Sequence, residues 1–177
     1  MKKTLIFSLL LILVGSLHTY AQQKPEPSPK VKAAMQKIAW LAGNWQGEGS
    51  MQMPGAKHQF KQQEWIRFKA NNSVLLIEGL GLTEAEGDTV HQALALISFV
   101  EATDTYHMQA VKGDGKVINA EVEVTDNEFN WSFATGATAK VKYIITHKNG
   151  QWHENGSYTP DGSQWYPFMS MVLKRTE

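Results

Sequence analysis

The chain has 177 residues, with 17 basic and 17 acidic side chains and no cysteine. This length fits one domain, and the missing cysteine excludes disulfides and thiol chemistry. Balanced charge without a Lys/Arg cluster offers no electrostatic basis for a nucleic-acid or anionic-lipid partner.

The chain starts with basic Met1-Lys2-Lys3 and an apolar run from Leu5 to Val14 broken only by Ser8. Thr19-Tyr20-Ala21 places small residues at the first and third positions of a cleavage site. Together these predict a secretory signal peptide over residues 1–21, since the run is too short for a good transmembrane helix. No cysteine follows the run, so a lipoprotein anchor is excluded. The expected location is periplasmic or secreted, without a stable membrane anchor. Losing Lys2 and Lys3 leaves 15 basic groups against 17 acids, a net charge of about −2. A disulfide-free exported domain of this size depends on its core alone.

Residues 22–28 are polar and contain Pro25 and Pro27, which predicts a flexible linker. Ser28-Pro29 is a helix start, a capping serine followed by proline at the first helical position. Val31, Ala34, Met35, Ile38 and Leu41 then form one apolar stripe. Gly43 is placed to end the helix in a left-handed conformation. The domain proper is expected over 29–177.

From Trp45 onward the period changes to two. Phe60, Gln62, Glu64, Ile66 and Phe68 alternate with Lys61, Gln63, Trp65, Arg67 and Lys69. Val74 to Leu82 and Gln92 to Val100 are more continuously apolar. Ile118 to Val124, Phe129 to Phe133 and Val141 to Ile145 alternate again. Turn signals separate the runs, among them Asp114-Gly115, Asn149-Gly150 and Asp161-Gly162. This spacing predicts an antiparallel meander, and no second helical segment exists to build parallel crossovers. About ten strands suffice to close an all-β, up-and-down barrel and remove the sheet edges, with the short helix covering one end.

The order helix, Gly43-x-Trp45, antiparallel meander resembles the calycin superfamily of lipocalins and fatty-acid-binding proteins. In lipocalins a basic residue on a late strand packs across that tryptophan; by resemblance, Arg175 takes that place. The longer pattern Leu41-x-Gly43-x-Trp45-x-Gly47-x-Gly49 is similar to nitrobindin-like barrels. It is closer still to a family of secreted bacterial lipocalin-like domains without an assigned function. That family's ending is also matched, in Trp152-x-Glu154, Asp161-Gly162, Trp165, Phe168-Met169 and Leu173-Lys174-Arg175. The resemblance spans Leu41 to Arg175. It implies a barrel with an internal cavity and a small ligand, and it carries no established activity.

Hairpin geometry sorts the faces. If Asn149-Gly150 is a two-residue loop, His147 pairs with Trp152; if Asp161-Gly162 is another, Tyr158 pairs with Trp165. Paired residues share a face. Tyr143, Ile145, His147, Trp152, Glu154, Gly156, Tyr158, Trp165, Met169 and Met171 then form the more apolar, inner face, and Phe168 falls outside. The same reasoning places Phe60, Gln62, Glu64, Ile66 and Phe68 inside, and Leu76, Glu78, Leu80 and Leu82 inside on the next strand. Residues 92 to 100 and the orientation of His91 stay open. Gly47 and Gly49 leave room for bulky neighbours.

The expected site is therefore Glu154, Glu78 and Glu64 with His147, Trp152, Tyr158, Trp165 and Met169 around them. Convergent polar groups in an apolar cavity are the usual form of a ligand pocket, and the expected partner is a small hydrophobic or amphiphilic molecule. Buried carboxylates bonded to backbone or water near the mouth are the blander alternative. Glu78 with Glu154 would serve as an acid/base pair if the protein were an enzyme. No catalytic motif or metal-ligand spacing supports this, and His147 and His153 fall on opposite faces. The nitrobindin analogy would make His147 a haem ligand, although the local context of that ligand is absent here. A filled barrel acting through its surface is the remaining alternative.

Overall fold

The computed structural model describes residues 25–83 and 87–176; the expected leader and residues 22–24 of the linker lie outside this range. Ser28 caps the single α-helix among the described residues, α1 (Pro29–Lys37), its Oγ accepting from the Val31 amide at 3.2 Å. A 3-10 turn (Ala39–Leu41) follows, so the helix stops at Lys37 rather than at Gly43. The turn carries Leu41 into the core, where Met35, Ile38 and Leu41 are all fully buried. This packing outweighs continuation of the helical pattern.

Ten strands follow: β1 (Gly43–Met53), β2 (Ala56–Lys69), β3 (Val74–Thr83), β4 (Thr89–Val100), β5 (Thr105–Lys112), β6 (Val117–Val124), β7 (Glu128–Ala134), β8 (Lys140–Lys148), β9 (Gln151–Thr159) and β10 (Tyr166–Thr176). Each pairs antiparallel with its neighbours in sequence, and β1 pairs with β10 to close the barrel. Closure satisfies every strand edge, which suits a domain with no disulfide to hold it. The expected all-β, up-and-down architecture is the observed one.

One end is plugged. Met35, Ile38, Leu41, Trp45, Ile66, Leu75, Ile97 and Leu173 pack there beneath α1. The Tyr106 hydroxyl donates to the Ala34 carbonyl at 2.6 Å and so ties the helix to β5. Trp45 is 1% exposed, and its indole nitrogen donates to the Leu41 carbonyl at 2.8 Å. The Arg175 guanidinium lies 4.3 Å from the Trp45 ring centroid and donates to the carbonyls of Trp40 and Ala42. It thereby serves three backbone or ring acceptors at the seam of the barrel. Gly43 (φ 143°) is required by this arrangement, because a Cβ there would sit 2.1 Å from an Arg175 nitrogen. The room left by Gly49 is taken by the Phe60 ring and that left by Gly47 by the β10 backbone.

The face assignment holds on β2, β8 and most of β9. Asn149 and Gly150 both have positive φ, and Lys148 pairs with Gln151 and His147 with Trp152. On β3 the assignment is reversed. Leu75, Ile77, Gly79 and Gly81 face inward, while Glu78 is exposed on the outer wall beside Trp65, Leu80 and Leu94. Val74-Leu75-Leu76-Ile77 is apolar on both faces, so hydrophobicity could not orient it. The inner glycines are set by their neighbours instead. A Cβ at Gly79 would lie 2.9 Å from both Glu64 carboxylate oxygens, and one at Gly81 would lie 2.7 Å from Gln62 Oε1.

The second hairpin also differs. Residues 160–165 form a longer connection, in which the Asp161 carboxylate accepts from the Ser163 and Gln164 amides. Tyr158 consequently pairs with Tyr166, not Trp165, and a bulge follows at Pro167. Trp165 lies outside, its ring 4.5 Å from Lys142 Nζ. Tyr158 is 38% exposed and lines no part of the interior. The bulge turns Phe168 toward the core, where it meets the Tyr143 ring at 5.8 Å.

Candidate functional site

The interior is not filled. A cavity of about 460 Å³ runs from the end opposite α1 toward the middle of the barrel. This volume falls within the range of about 300–1,000 Å³ usual for small-molecule sites. Met51, Met53, His58, Val90 and His91 surround the mouth, at the strand ends far from the plug. Phe60, Ile77, Met108, Phe129, Met169 and Met171 line the wall. His91, which the sequence left unoriented, thus faces the cavity. Burial and the nearby Lys112 charge lower its pKa, which favours the neutral ring.

The floor is polar. Glu64 of β2 is directly opposite Trp45 across the β1–β2 ladder, one layer above the plug. Glu154 of β9 pairs with Met171 on one side and Ile145 on the other. Glu64 and Glu154 are 7% and 5% exposed, and both line the cavity. Gln62 Nε2 donates to Glu64 Oε1 at 2.7 Å, and the Trp152 indole donates to Glu154 Oε2 at 3.0 Å. Glu64 Oε2 has no hydrogen-bond partner among the described residues.

Burial dominates the protonation of both carboxyls. Loss of water raises Glu64 to about 8, the Glu154 charge adds to this, and the Gln62 hydrogen bond opposes it. Burial likewise raises Glu154 to about 7 against the Trp152 hydrogen bond. Once Glu154 ionises, its charge holds the proton on Glu64, so the two titrate as a coupled pair. The Tyr143 phenol is pushed up by burial and by Glu154, which keeps it a neutral hydroxyl. Near neutral pH the floor therefore holds at least one carboxyl proton and exchanges it easily.

Of the residues singled out from sequence, Glu64, Glu154, Trp152 and Met169 line this cavity together. Glu78, Tyr158 and Trp165 do not join them. Nor does His147, whose ring stacks on Trp40 at 5.5 Å and meets Trp45 edge-on at 6.0 Å. It belongs to the aromatic cluster at the plugged end and does not line the cavity. Among the described residues, no group of three or more His, Asp or Glu gathers to hold a metal ion. Sequence reasoning missed Gln62 as the partner of Glu64 and Gly79 as the space for its carboxylate. Beside Glu154 the wall is tight, since a Cβ at Gly156 would meet the Phe168 and Tyr143 rings at 3.0 Å.

Gly79→Ala tests the floor directly. The added methyl would push on a carboxylate that is buried and held by Gln62, an overpacking expected to cost about 1–2 kcal/mol. Chemical denaturation should show this loss; a neutral result would mean that the Glu64 side chain moves aside freely.

No protein-family model and no curated protein matches this chain. Among solved structures, the crystal structure of Rv2717c from M. tuberculosis aligns with a TM-score of 0.62 and 12% sequence identity. The alignment covers 86% of this chain and 100% of that one. The two share a fold; at this identity the likeness extends no further.

Proposed function

We propose that this is an exported lipocalin-like barrel that binds a small, mostly apolar molecule by a polar end. The observation that carries the reading is the 460 Å³ cavity, apolar along its wall and floored by two buried carboxyls, one with an oxygen unpartnered among the described residues. An apolar body would be driven in by burial against methionine and aromatic side chains. The polar end would fix orientation and selectivity. The Gly43, Trp45 and Arg175 arrangement supports the lipocalin-like reading, and the leader sequence supports export. N-terminal sequencing of exported protein should begin after Ala21.

Trp152 lines the cavity and bonds Glu154, so a ligand at the floor should change its fluorescence. Glu154→Gln keeps the shape and removes the charge. Screening wild type and Glu154→Gln by tryptophan fluorescence should find ligands whose affinity differs by about tenfold or more, the scale of one charge-assisted hydrogen bond. Circular dichroism should show the same fold in both. Ligands that bind the two proteins equally would remove Glu154 from the site.

The same carboxyls favour a second reading, as an acid/base pair acting on a small substrate, because their pKa values lie near neutrality. Turnover with a bell-shaped pH dependence, abolished in Glu154→Gln, would replace simple binding by catalysis.

A further inference from the structure

We propose that the ligand is a cationic amphiphile, a protonated amine whose nitrogen sits at Glu64 and Glu154 and whose apolar body lies along the cavity wall. This rests on the ligand-binding reading and adds to it the sign of the ligand's charge.

The donors and acceptors at the floor do not balance. Two carboxyls present four oxygens, and Gln62 and Trp152 supply one N–H each. Glu64 Oε2 is buried with no partner among the described residues. Among the described residues that line the cavity there is no Lys or Arg. A ligand ending in a carboxylate would bring a further negative charge into a water-poor space that already holds two acids. An ammonium group brings what is missing, several N–H donors and a positive charge.

The charge balance also favours a single cation. With an ammonium bound, Glu154 ionised and Glu64 protonated, the floor is neutral. Without it, the pair retains a second proton more readily, because two ionised carboxylates in the same cavity repel. The cation therefore replaces a proton. R–NH3+ enters with its charge intact, the pair releases H+ to the buffer, and no covalent bond changes. Among the described residues, the other titratable groups lining the cavity are Tyr143 of β8 on the wall and His58 of β2 and His91 of β4 at the mouth. His91 lies close to Lys112 of β5, whose charge favours its neutral form. Gly79 and Gly81 complete the arrangement, since side chains there would collide with Glu64 and Gln62 and deform the acceptor group.

The test compares decylamine, decanol and decanoic acid, which share one apolar tail, by titration calorimetry at about pH 6.5, where the pair carries exchangeable protons. Decylamine is expected to bind wild type at least tenfold more tightly than the other two. Repeating the titration in buffers of different ionisation enthalpy should show a net release of up to one proton per amine bound. In the Glu64→Gln/Glu154→Gln double variant the amine preference and the proton release should both vanish, while decanol binds as well as before. Decanol or decanoic acid binding wild type as tightly as decylamine would overturn the cationic proposal and leave the binding cavity standing. So would an amine preference that survives in the double variant. If none of the three binds, both the proposal and the ligand-binding reading fail.

Discussion

Trp45→Ala is expected to lower the stability of the barrel by about 3–5 kcal/mol, the range for deleting a large buried aromatic. The indole is 1% exposed at the plugged end, where it contacts β8, β9, β10 and the turn before β1. It meets the Trp152 ring at 5.8 Å and His147 at 6.0 Å, bonds the Leu41 carbonyl, and lies under the Arg175 guanidinium. Alanine would leave a cavity beneath α1, where β1 closes on β10, and the rings around it could not all collapse inward. Arg175→Ala should cost less, about 1–2 kcal/mol, because the guanidinium is exposed at its edge and the carbonyls it serves can turn to water. The two residues touch, so the double variant should lose less than the sum of the single losses. Chemical denaturation with tryptophan fluorescence and circular dichroism measures all three. A Trp45→Ala protein within a few tenths of a kcal/mol of wild type would show that the ring is not the keystone of this end.

The parts of the structure that were legible from sequence are those where one physical rule acted alone. Along β2 the alternation of Phe60, Gln62, Glu64, Ile66 and Phe68 with Lys61, Gln63, Trp65, Arg67 and Lys69 gave both strand and face. Asn149-Gly150 demanded positive φ at two consecutive positions, which left a two-residue turn and hence the register of β8 on β9. Glu64 and Glu154 could therefore be put inside from sequence alone.

Where two rules competed, the reading failed. On β3 both faces are apolar, and beyond Ile77 the inward positions are Gly79 and Gly81 while Leu80 and Leu82 face out; β4 is similar, with Ala93 and Ala95 inside and Leu94 and Leu96 exposed. The usual preference for large apolar residues inside then points the wrong way, and it misplaced Glu78. A pairing of Gly79 with Ala93 and of Ile77 with Ala95 explains the inversion: the barrel keeps its interior open as a cavity, so this part of the wall must be thin. Asp161-Gly162 looked like a second tight hairpin, but the Asp161 side chain bonds two following amides and holds a longer loop. The resulting bulge exchanged Trp165 for Phe168 at the core. Such a bulge has no signature beyond Pro167 in a strand, which marks irregularity without giving its direction.

The stability of the empty protein should fall as pH rises through the range set by its two buried carboxyls. Their folded pKa values are raised, to about 8 for Glu64 and about 7 for Glu154, above the ordinary value of 4.5. Below about pH 4.5 both are protonated in the folded and unfolded chains, and they contribute no pH dependence. Above it the unfolded chain ionises first and binds fewer protons than the folded one, so each carboxyl penalises folding by up to about 1.4 kcal/mol per pH unit. The loss levels off once the folded-state groups have ionised, above about pH 8. Glu64→Gln removes the larger of the two penalties and keeps an oxygen to accept from Gln62. It should leave stability near pH 4.5 within about 1 kcal/mol of wild type and raise it at pH 8.5 by on the order of 3 kcal/mol. Glu78→Gln, the same change on the outer wall, should stay within about 0.5 kcal/mol, as exposed substitutions do. Urea denaturation of the three proteins from pH 4.5 to 9 measures these differences. A Glu64→Gln curve parallel to wild type would mean that water reaches the floor of the cavity freely, and the buried acid pair would no longer explain the site.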